Sequence, residues 1–411
     1  MYKRRYLSDK IKKALSFFPV VALVGARQTG KTTLVKEEFP DRTYLSLDSL
    51  DIRSAIIEDP VGFLSAQKGP IIVDEAQKAP CIFEAIKILV DRDREPGRFL
   101  LTGSANFLLL QKVSETLAGR IATFELSGFM VCEALEYPVP IFLQSCLYAG
   151  HIDDLLDMRP NQKDVSIDAL ILRGGLPPAV LSPNAEVRDM WLENYVATYL
   201  ERDLRDLSQV ASLGDFRRLM GLSAMRSAQL LNISELARDA GLSTSTARNY
   251  IQLLEVSYQI RRLPPYYANI GKRLVKAPKL HFRDTAVAMT VSGLSRNTVI
   301  QARHPYRSAL FESFIVEEIA RLLGLLGEKA RMFHYRSHSG AEVDLVIELG
   351  ERLLPIEIKS SATVSTRKLG GLRQFLKDFH GKAPFGLVIY DGVDLLPISR
   401  DILLVPWNVI I

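Results

Sequence analysis

The sequence predicts an α/β protein in three parts. Residues 1–190 read as a parallel sheet with helices on both faces, residues 191–300 as a helical segment, and residues 301–411 as a small α/β unit. Three observations carry this prediction. Apolar runs of strand length alternate with helical stretches through the first part, as βαβ units do. The run Gly25-Ala26-Arg27-Gln28-Thr29-Gly30-Lys31-Thr32 fits the phosphate-loop pattern G-x-x-x-x-G-K-[ST] at every fixed position. The last third returns to short apolar runs, two of them joined through Gly350.

The phosphate loop lies where its chemistry needs it. Pro19 to Val24 is an apolar strand, and Thr33 to Phe39 opens a helix. A glycine-rich turn between them aims backbone N–H groups and a helix N-terminus at a polyphosphate. Gly25 and Gly30 allow close backbone approach, and Ala26, Arg27, Gln28, Thr29 and Thr33 complete the binding run. Lys31 is expected to reach the β and γ phosphates, and the Thr32 hydroxyl to ligate Mg²⁺.

Tyr44 to Leu47 is a short strand candidate. A further apolar strand, Ile71-Ile72-Val73, runs into Asp74-Glu75 and has the form of a Walker B element. Asp74 is then a magnesium residue and Glu75 the general base for water. The alternative is that the acidic pair caps a helix from Ala76 onward. The run Arg98 to Asn106 is apolar and then turns polar, which makes Ser104 and Asn106 the candidates for sensing the γ-phosphate. Ile121 to Leu126 is another strand. Arg120, beside a turn at Gly119, is either a cation for a transferring phosphoryl group or one half of a surface salt bridge.

Gly150 to Pro183 reads as a lid or connector. Its Gly174-Gly175-Leu176-Pro177-Pro178 is read as non-helical. A long helix follows over roughly Ala185 to Leu207. Asn232 to Ala240 and Thr244 to Tyr258 are two helices around the turn Gly241-Leu242-Ser243, a helix-turn-helix. With strands at Gln259 to Leu263 and Lys279 to Phe282 this is a winged-helix pattern. Its second helix offers Thr244, Ser245, Thr246, Arg248, Asn249 and Gln252 to base edges, with Arg261, Arg262, Lys272 and Arg273 for phosphates. Such modules also serve simply to pack domains together.

In the last part, Ala309 to Ile319 reads as an amphipathic helix carrying Glu312. Three strands follow, at Phe333 to Arg336, Ala341 to Glu348 and Leu353 to Lys359. Alternation puts Glu357 and Lys359 on one strand face, and pairing around Gly350 brings Asp344 near both. Asp344 and Glu357, with Lys359 and with Glu312 from the helix, form a candidate site for a second Mg²⁺ and a phosphodiester-attacking water. His334 and His338 share this region and are read as incidental.

Composition sets outer limits. The chain has 411 residues, 47% hydrophobic and 24% charged, and a net charge of +5, which permits nucleic-acid contact without demanding it. Cys81, Cys132 and Cys146 form no C-x-x-C pair, so neither zinc nor a disulfide framework is indicated and a reducing cytoplasm is expected. The basic start Met1-Tyr2-Lys3-Arg4-Arg5 is not followed by a signal-type cleavage site. No apolar stretch reaches the roughly 20 residues of a membrane span.

Gly25 to Thr33, Ile71 to Glu75, Leu101 to Asn106 and Ser114 to Arg120 resemble the AAA+ ATPases, more narrowly the bacterial and archaeal group whose ATPase module precedes a DUF4143 region. The resemblance implies an ATP-hydrolysing module that works as a homo-oligomer, with Arg120 as the arginine that reaches a neighbour's nucleotide. The Glu312, Asp344, Glu357 and Lys359 set resembles the PD-(D/E)xK restriction-nuclease-like fold, although Val343 stands where that family has proline. Three functions follow as expectations: a Mg²⁺-dependent ATPase associated with double-stranded DNA, an ATP-dependent DNA nuclease, or a nucleotide-switched binding or signalling protein. No acceptor motif for a kinase is visible.

Overall fold

The computed structural model describes all residues except 1, 105–115, 159–164, 208–211, 268–275, 302–303, 328 and 338–339, and leaves aside the side chains of 199–207 and 301. The first sheet contains β1 Val20–Gly25, β2 Thr43–Ser46, β3 Ile71–Asp74, β4 Phe99–Ser104 and β5 Ile121–Glu125, in the order β2-β3-β4-β1-β5. Every pairing in it is parallel. The interior strand β1, between β4 and β5, is buried along its whole length, as expected of a strand covered on both faces.

Alternation divides β1 between two cores. Val20, Ala22 and Val24 pack with Ile71, Val73, Phe99 and Leu101 under the helix Cys81–Arg92. Val21 and Leu23 face the other way, toward Ile11 and Leu15 of α1 Leu7–Leu15 and Leu34 and Val35 of α2 Lys31–Glu38. The period-2 pleat therefore makes one apolar run serve both layers. Parallel register brings the carboxyl ends of β1, β3 and β4 to one edge, with Gly25 opposite Ser104 and Val73 opposite Leu101. In open α/β sheets that edge is where ligands bind.

The middle region holds the helices Leu213–Met225, Ile233–Ala240 and Thr244–Val256 with β6 Gln229–Leu230, β7 Ile260–Leu263 and β8 Lys279–Phe282. The strands form an antiparallel sheet in the order β6-β8-β7. The helix starts follow from local chemistry. Asn232 accepts from the Glu235 N–H and Ser243 from the Thr246 N–H, while Gly241, at φ 64°, ends the preceding helix in the left-handed region that glycine tolerates.

The C-terminal sheet is mixed. It contains β9 Arg331–Arg336, β10 Glu342–Leu349, β11 Arg352–Lys359, β12 Gly386–Tyr390, β13 Leu396–Ser399 and β14 Ile402–Pro406, in the order β13-β14-β12-β11-β10-β9. The hairpin β10–β11 turns at Gly350, with Leu345 opposite Ile356.

One helix, Pro305–Leu326, ties the parts together. It extends well beyond the Ala309 to Ile319 read from the sequence, and its middle, Ser313 to Ile319, is buried all round rather than along one stripe, with Glu317 and Glu318 among the buried residues. Its Leu310, Phe311, Ile315 and Ile319 belong to a core that runs without interruption from Met130 to Ile411. One expectation is corrected here. Pro177 and Pro178 do not break helical structure but occupy the first turn of the helix Pro177–Val180, where proline's missing N–H has no partner to lose. The connector read over Gly150 to Pro183 also carries the helix Ile167–Arg173, whose Ile167, Leu170 and Ile171 are buried in that same core.

Candidate functional site

The loop between β1 and α2 is built by backbone geometry. Gly25 has φ 148°, and a Cβ there would lie 2.2 Å from the Leu126 carbonyl oxygen, so no side chain fits. Gly30 has φ 89°, again outside the ordinary L-residue range. Lys31 is buried, and its ammonium donates to the carbonyls of Gly25 at 3.0 Å and Ala26 at 2.7 Å, which turns it back over the loop. Thr29 is buried and donates to the Ala26 carbonyl at 2.9 Å, whereas Arg27, Gln28 and Thr33 are exposed.

Asp74 stands at the end of β3, 3% exposed, among three hydroxyls. Thr32 Oγ1 donates to it at 3.0 and 3.1 Å and Tyr44 at 2.6 Å, and the Thr102 hydroxyl also bonds to it. Burial, then the Asp74 carboxylate, hold the Tyr44 phenol above its ordinary pKa, so it remains a donor. Glu75 follows in the left-handed region at φ 58°, with no side-chain capping bond to the short turn Ala76–Lys78. The helix-cap alternative for this residue therefore has no geometric basis. Its carboxylate instead accepts from Gln77 and from Ser104 Oγ at 3.4 Å, and Gln77 also donates to Ser104 at 3.0 Å.

A hydroxyl, a buried carboxylate and a lysine at one sheet edge are the hard-oxygen and cationic groups that a magnesium–polyphosphate requires. Comparison with known proteins agrees with this chemistry. Family models match in three consecutive blocks: an AAA domain (AAA_14) over residues 18–135, a domain of unknown function (DUF8612) over 165–298, and a domain of unknown function (DUF4143) over 307–410. Uncharacterized protein Rv2008c of Mycobacterium tuberculosis is 33% identical over 417 residues, spanning 100% of this chain and 85% of the relative. Uncharacterized protein Mb2031c of Mycobacterium bovis gives the same values. The chain belongs to the AAA–DUF4143 family.

Among solved structures, similarity extends to the Walker-type ATPase PABY2304 of Pyrococcus abyssi, at 16% identity, 71% of this chain, 96% of that chain and a TM-score of 0.47. The RuvB Holliday junction branch migration motor of Thermotoga maritima follows at 18% identity, 62% and 89% coverage and a TM-score of 0.30.

In this AAA–DUF4143 protein the other sequence-predicted residues fall differently. Ser104 joins the Glu75 cluster, while Asn106 lies outside the described residues. Arg120 precedes β5 at the opposite sheet edge. Five residue steps of β1 separate that edge from the loop, about 17 Å. There it forms a two-pronged ion pair with Asp91 at 2.6 and 3.0 Å, so it does not serve its own chain's loop.

Sequence reasoning missed Arg5. This arginine is 4% exposed, pairs with Glu133 at 2.9 Å, and donates to the carbonyls of Thr29, Ser127 and Gly128 at 3.0, 2.8 and 3.1 Å. It thus braces the phosphate loop against the segment after β5. Tyr44 and Thr102 were also passed over, since nothing in a strand's apolar pattern marks a hydroxyl as aimed at a neighbouring strand's carboxylate.

The C-terminal set of the AAA–DUF4143 protein does converge. Lys359 pairs with Glu357 and lies 3.9 Å from Asp344, and the Ile358 N–H donates to Asp344 at 2.9 Å. The centre of the set, however, is Lys279 of β8, which the sequence did not single out. Its Nζ lies 2.8 Å from Glu312, 2.9 Å from Asp344 and 3.4 Å from Glu342. Burial, and then Asp344, push Glu312 up to about 8. Burial opposes ionisation of Asp344 too, but Lys279 and Lys359 outweigh it and hold this carboxylate low. Glu357 Oε2 is buried without a hydrogen-bond partner. Among the described residues no group of three or more His, Cys, Asp or Glu side chains is arranged to hold a metal ion. His334 is buried against the Ala277 carbonyl at 3.2 Å, and His338 lies outside the described residues.

Proposed function

We propose that this protein binds Mg²⁺–ATP at the loop Gly25 to Thr33 and hydrolyses it. The observation that carries the reading is the Thr32–Asp74 pair at 3.0 and 3.1 Å, beside a lysine turned into the loop. Thr32 and Asp74 would hold the magnesium, which when bound supplies positive charge against the phosphates. Lys31 exchanges its two carbonyl partners for phosphate oxygens. Glu75 takes the proton of the attacking water, with Ser104 and Gln77 fixing its carboxylate. Tyr44 and Thr102 orient Asp74, and Arg5 holds the loop's shape. Arg120 serves a neighbouring copy's nucleotide once it leaves Asp91, which makes the working form a homo-oligomer. The test is steady-state ATP turnover. It requires Mg²⁺ and falls to background with a chelator or in Lys31→Ala; turnover by Lys31→Ala at the parent rate would end the proposal.

A second reading concerns double-stranded DNA. The β6-β8-β7 sheet with its three helices supports a winged-helix assignment, and the Ser243-capped helix leaves Thr244, Ser245, Arg248, Asn249 and Gln252 exposed. Arg261 is turned to the buried Glu317, while Arg262 pairs with Glu255 and stays exposed. Lys272 and Arg273 lie outside the described residues. On this reading duplex DNA stimulates ATP turnover, and Arg248→Ala weakens DNA binding by about 1–3 kcal/mol. Turnover indifferent to DNA, with no retention on duplex at low salt, contradicts it.

A further inference from the structure

The resemblance to restriction-type nucleases implies a divalent cation among Glu312, Asp344 and Glu357. The residues present do not fit one. Lys279 Nζ sits 2.8 Å from Glu312 and 2.9 Å from Asp344, with the lysine side chain 4% exposed. A magnesium ion takes carboxylate oxygens at about 2.0–2.1 Å and demands near-octahedral geometry. An ion shared by those same two oxygens would occupy the volume that the ammonium fills. Asp344 has no second oxygen to spare, because that atom accepts from the Ile358 N–H at 2.9 Å and faces Lys359 at 3.9 Å.

The lysine cannot simply swing aside. It begins β8, the middle strand of its sheet, where its backbone is paired with Leu263 on one side and Leu230 on the other. The Tyr266 N–H donates to the His334 carbonyl at 2.6 Å, and the His334 N–H to the Pro264 carbonyl at 2.9 Å, which stitches the chain after β7 to β9. Lys279 therefore reaches the carboxylates from a strand that is itself held against the C-terminal sheet.

We infer that Lys279 is the resident cation of this carboxylate cluster, and that the cluster is an ionic joint between the middle and C-terminal regions which excludes divalent metal. Glu312 and Asp344 receive from the ammonium what a nuclease would give them as magnesium. The joint occupies the position of a hydrolytic centre without being one. This inference is independent of the ATP reading.

The test is Mn²⁺ uptake by the full chain without nucleotide, followed by the electron paramagnetic resonance signal of free Mn²⁺. Wild type and Asp344→Asn take up the same amount. Lys279→Met gains a site at least about tenfold tighter than anything in the wild type, and adding Asp344→Asn removes it. Extra uptake by wild type over Asp344→Asn, or no gain in a folded Lys279→Met, overturns the inference, as does plasmid cleavage by wild type that Asp344→Asn abolishes. Should Lys279→Met fail to fold, reductive methylation of wild type decides. Lys279 unmodified with and without millimolar Mn²⁺ supports the joint, and Mn²⁺-dependent methylation of Lys279 refutes it.

Discussion

Replacing Glu75 by glutamine leaves ATP binding intact and lowers turnover by about a hundred- to ten-thousand-fold, the usual contribution of a positioned general base. Glutamine keeps the length of the side chain and an oxygen that accepts from Gln77 and Ser104, so the local hydrogen bonds survive. What it loses is the capacity to take a proton. The left-handed backbone at φ 58° is already present in the parent chain, and the substitution adds no strain. A fluorescent nucleotide reports binding, and single-turnover hydrolysis reports chemistry. A variant that hydrolyses ATP at the parent rate would show that the base lies elsewhere. A variant that loses binding would show that Glu75 works through the fold of the loop.

The second large effect is on stability. Glu317 is 2% exposed and lies between two guanidiniums, Arg261 at 2.5 and 3.1 Å and Arg283 at 3.3 Å. Burial pushes its carboxyl up, but Arg261 and Arg283 prevail and bring it down to about 2. Glu317→Ala leaves those cations facing each other, Arg283 with only 11% of its side chain exposed, and is expected to cost about 3–5 kcal/mol. Urea unfolding measures it, and a loss below about 1 kcal/mol, the range of surface pairs, would refute the assignment. The pH dependence follows from the depressed pKa. The carboxylate's contribution is complete above its unfolded value near 4.5 and disappears as pH falls from there toward 2. The parent should therefore lose stability across that acid range more steeply than Glu317→Gln.

The loop, the Asp74-Glu75 strand end and the hairpin at Gly350 were all readable from the chain, because each depends on residues adjacent in sequence. Glycine at positive φ, a carboxylate after an apolar run and period-2 alternation are local statements. What could not be read is what distant segments supply. Arg5 meets Thr29 and Glu133, Tyr44 meets Asp74, and Lys279 meets Glu312 and Asp344, each pair dozens of residues or more apart. Lys279 was hidden doubly: it opens a short apolar strand, where a lysine looks like an edge residue. Arg120 is a like case: a surface salt bridge was one of its two readings, but its sequence neighbours did not mark Asp91 as the partner. Pro177 and Pro178 were misread because proline's rule for helix interiors does not apply to a first turn.

The helix Pro305–Leu326 changes how the family's seams should be drawn. The middle match ends at residue 298 and the last begins at 307, so by sequence a cut belongs between them. In three dimensions that cut would divide a single solid. Glu312 holds Lys279, Glu317 holds Arg261 and Arg283, Glu318 accepts from the Val131 N–H at 3.1 Å, and the Gly324 carbonyl accepts from Lys10 at 2.7 Å. Between Glu312 and Gly324, about four turns, one rod touches every segment that the comparisons separate. A gene trimmed ahead of Pro305 would leave the remaining segments without their shared beam, with Met130, Leu192 and Val287 losing part of the interior they now line. The helix lies almost wholly inside the last matched block, yet its side chains complete the interior of the blocks that precede it.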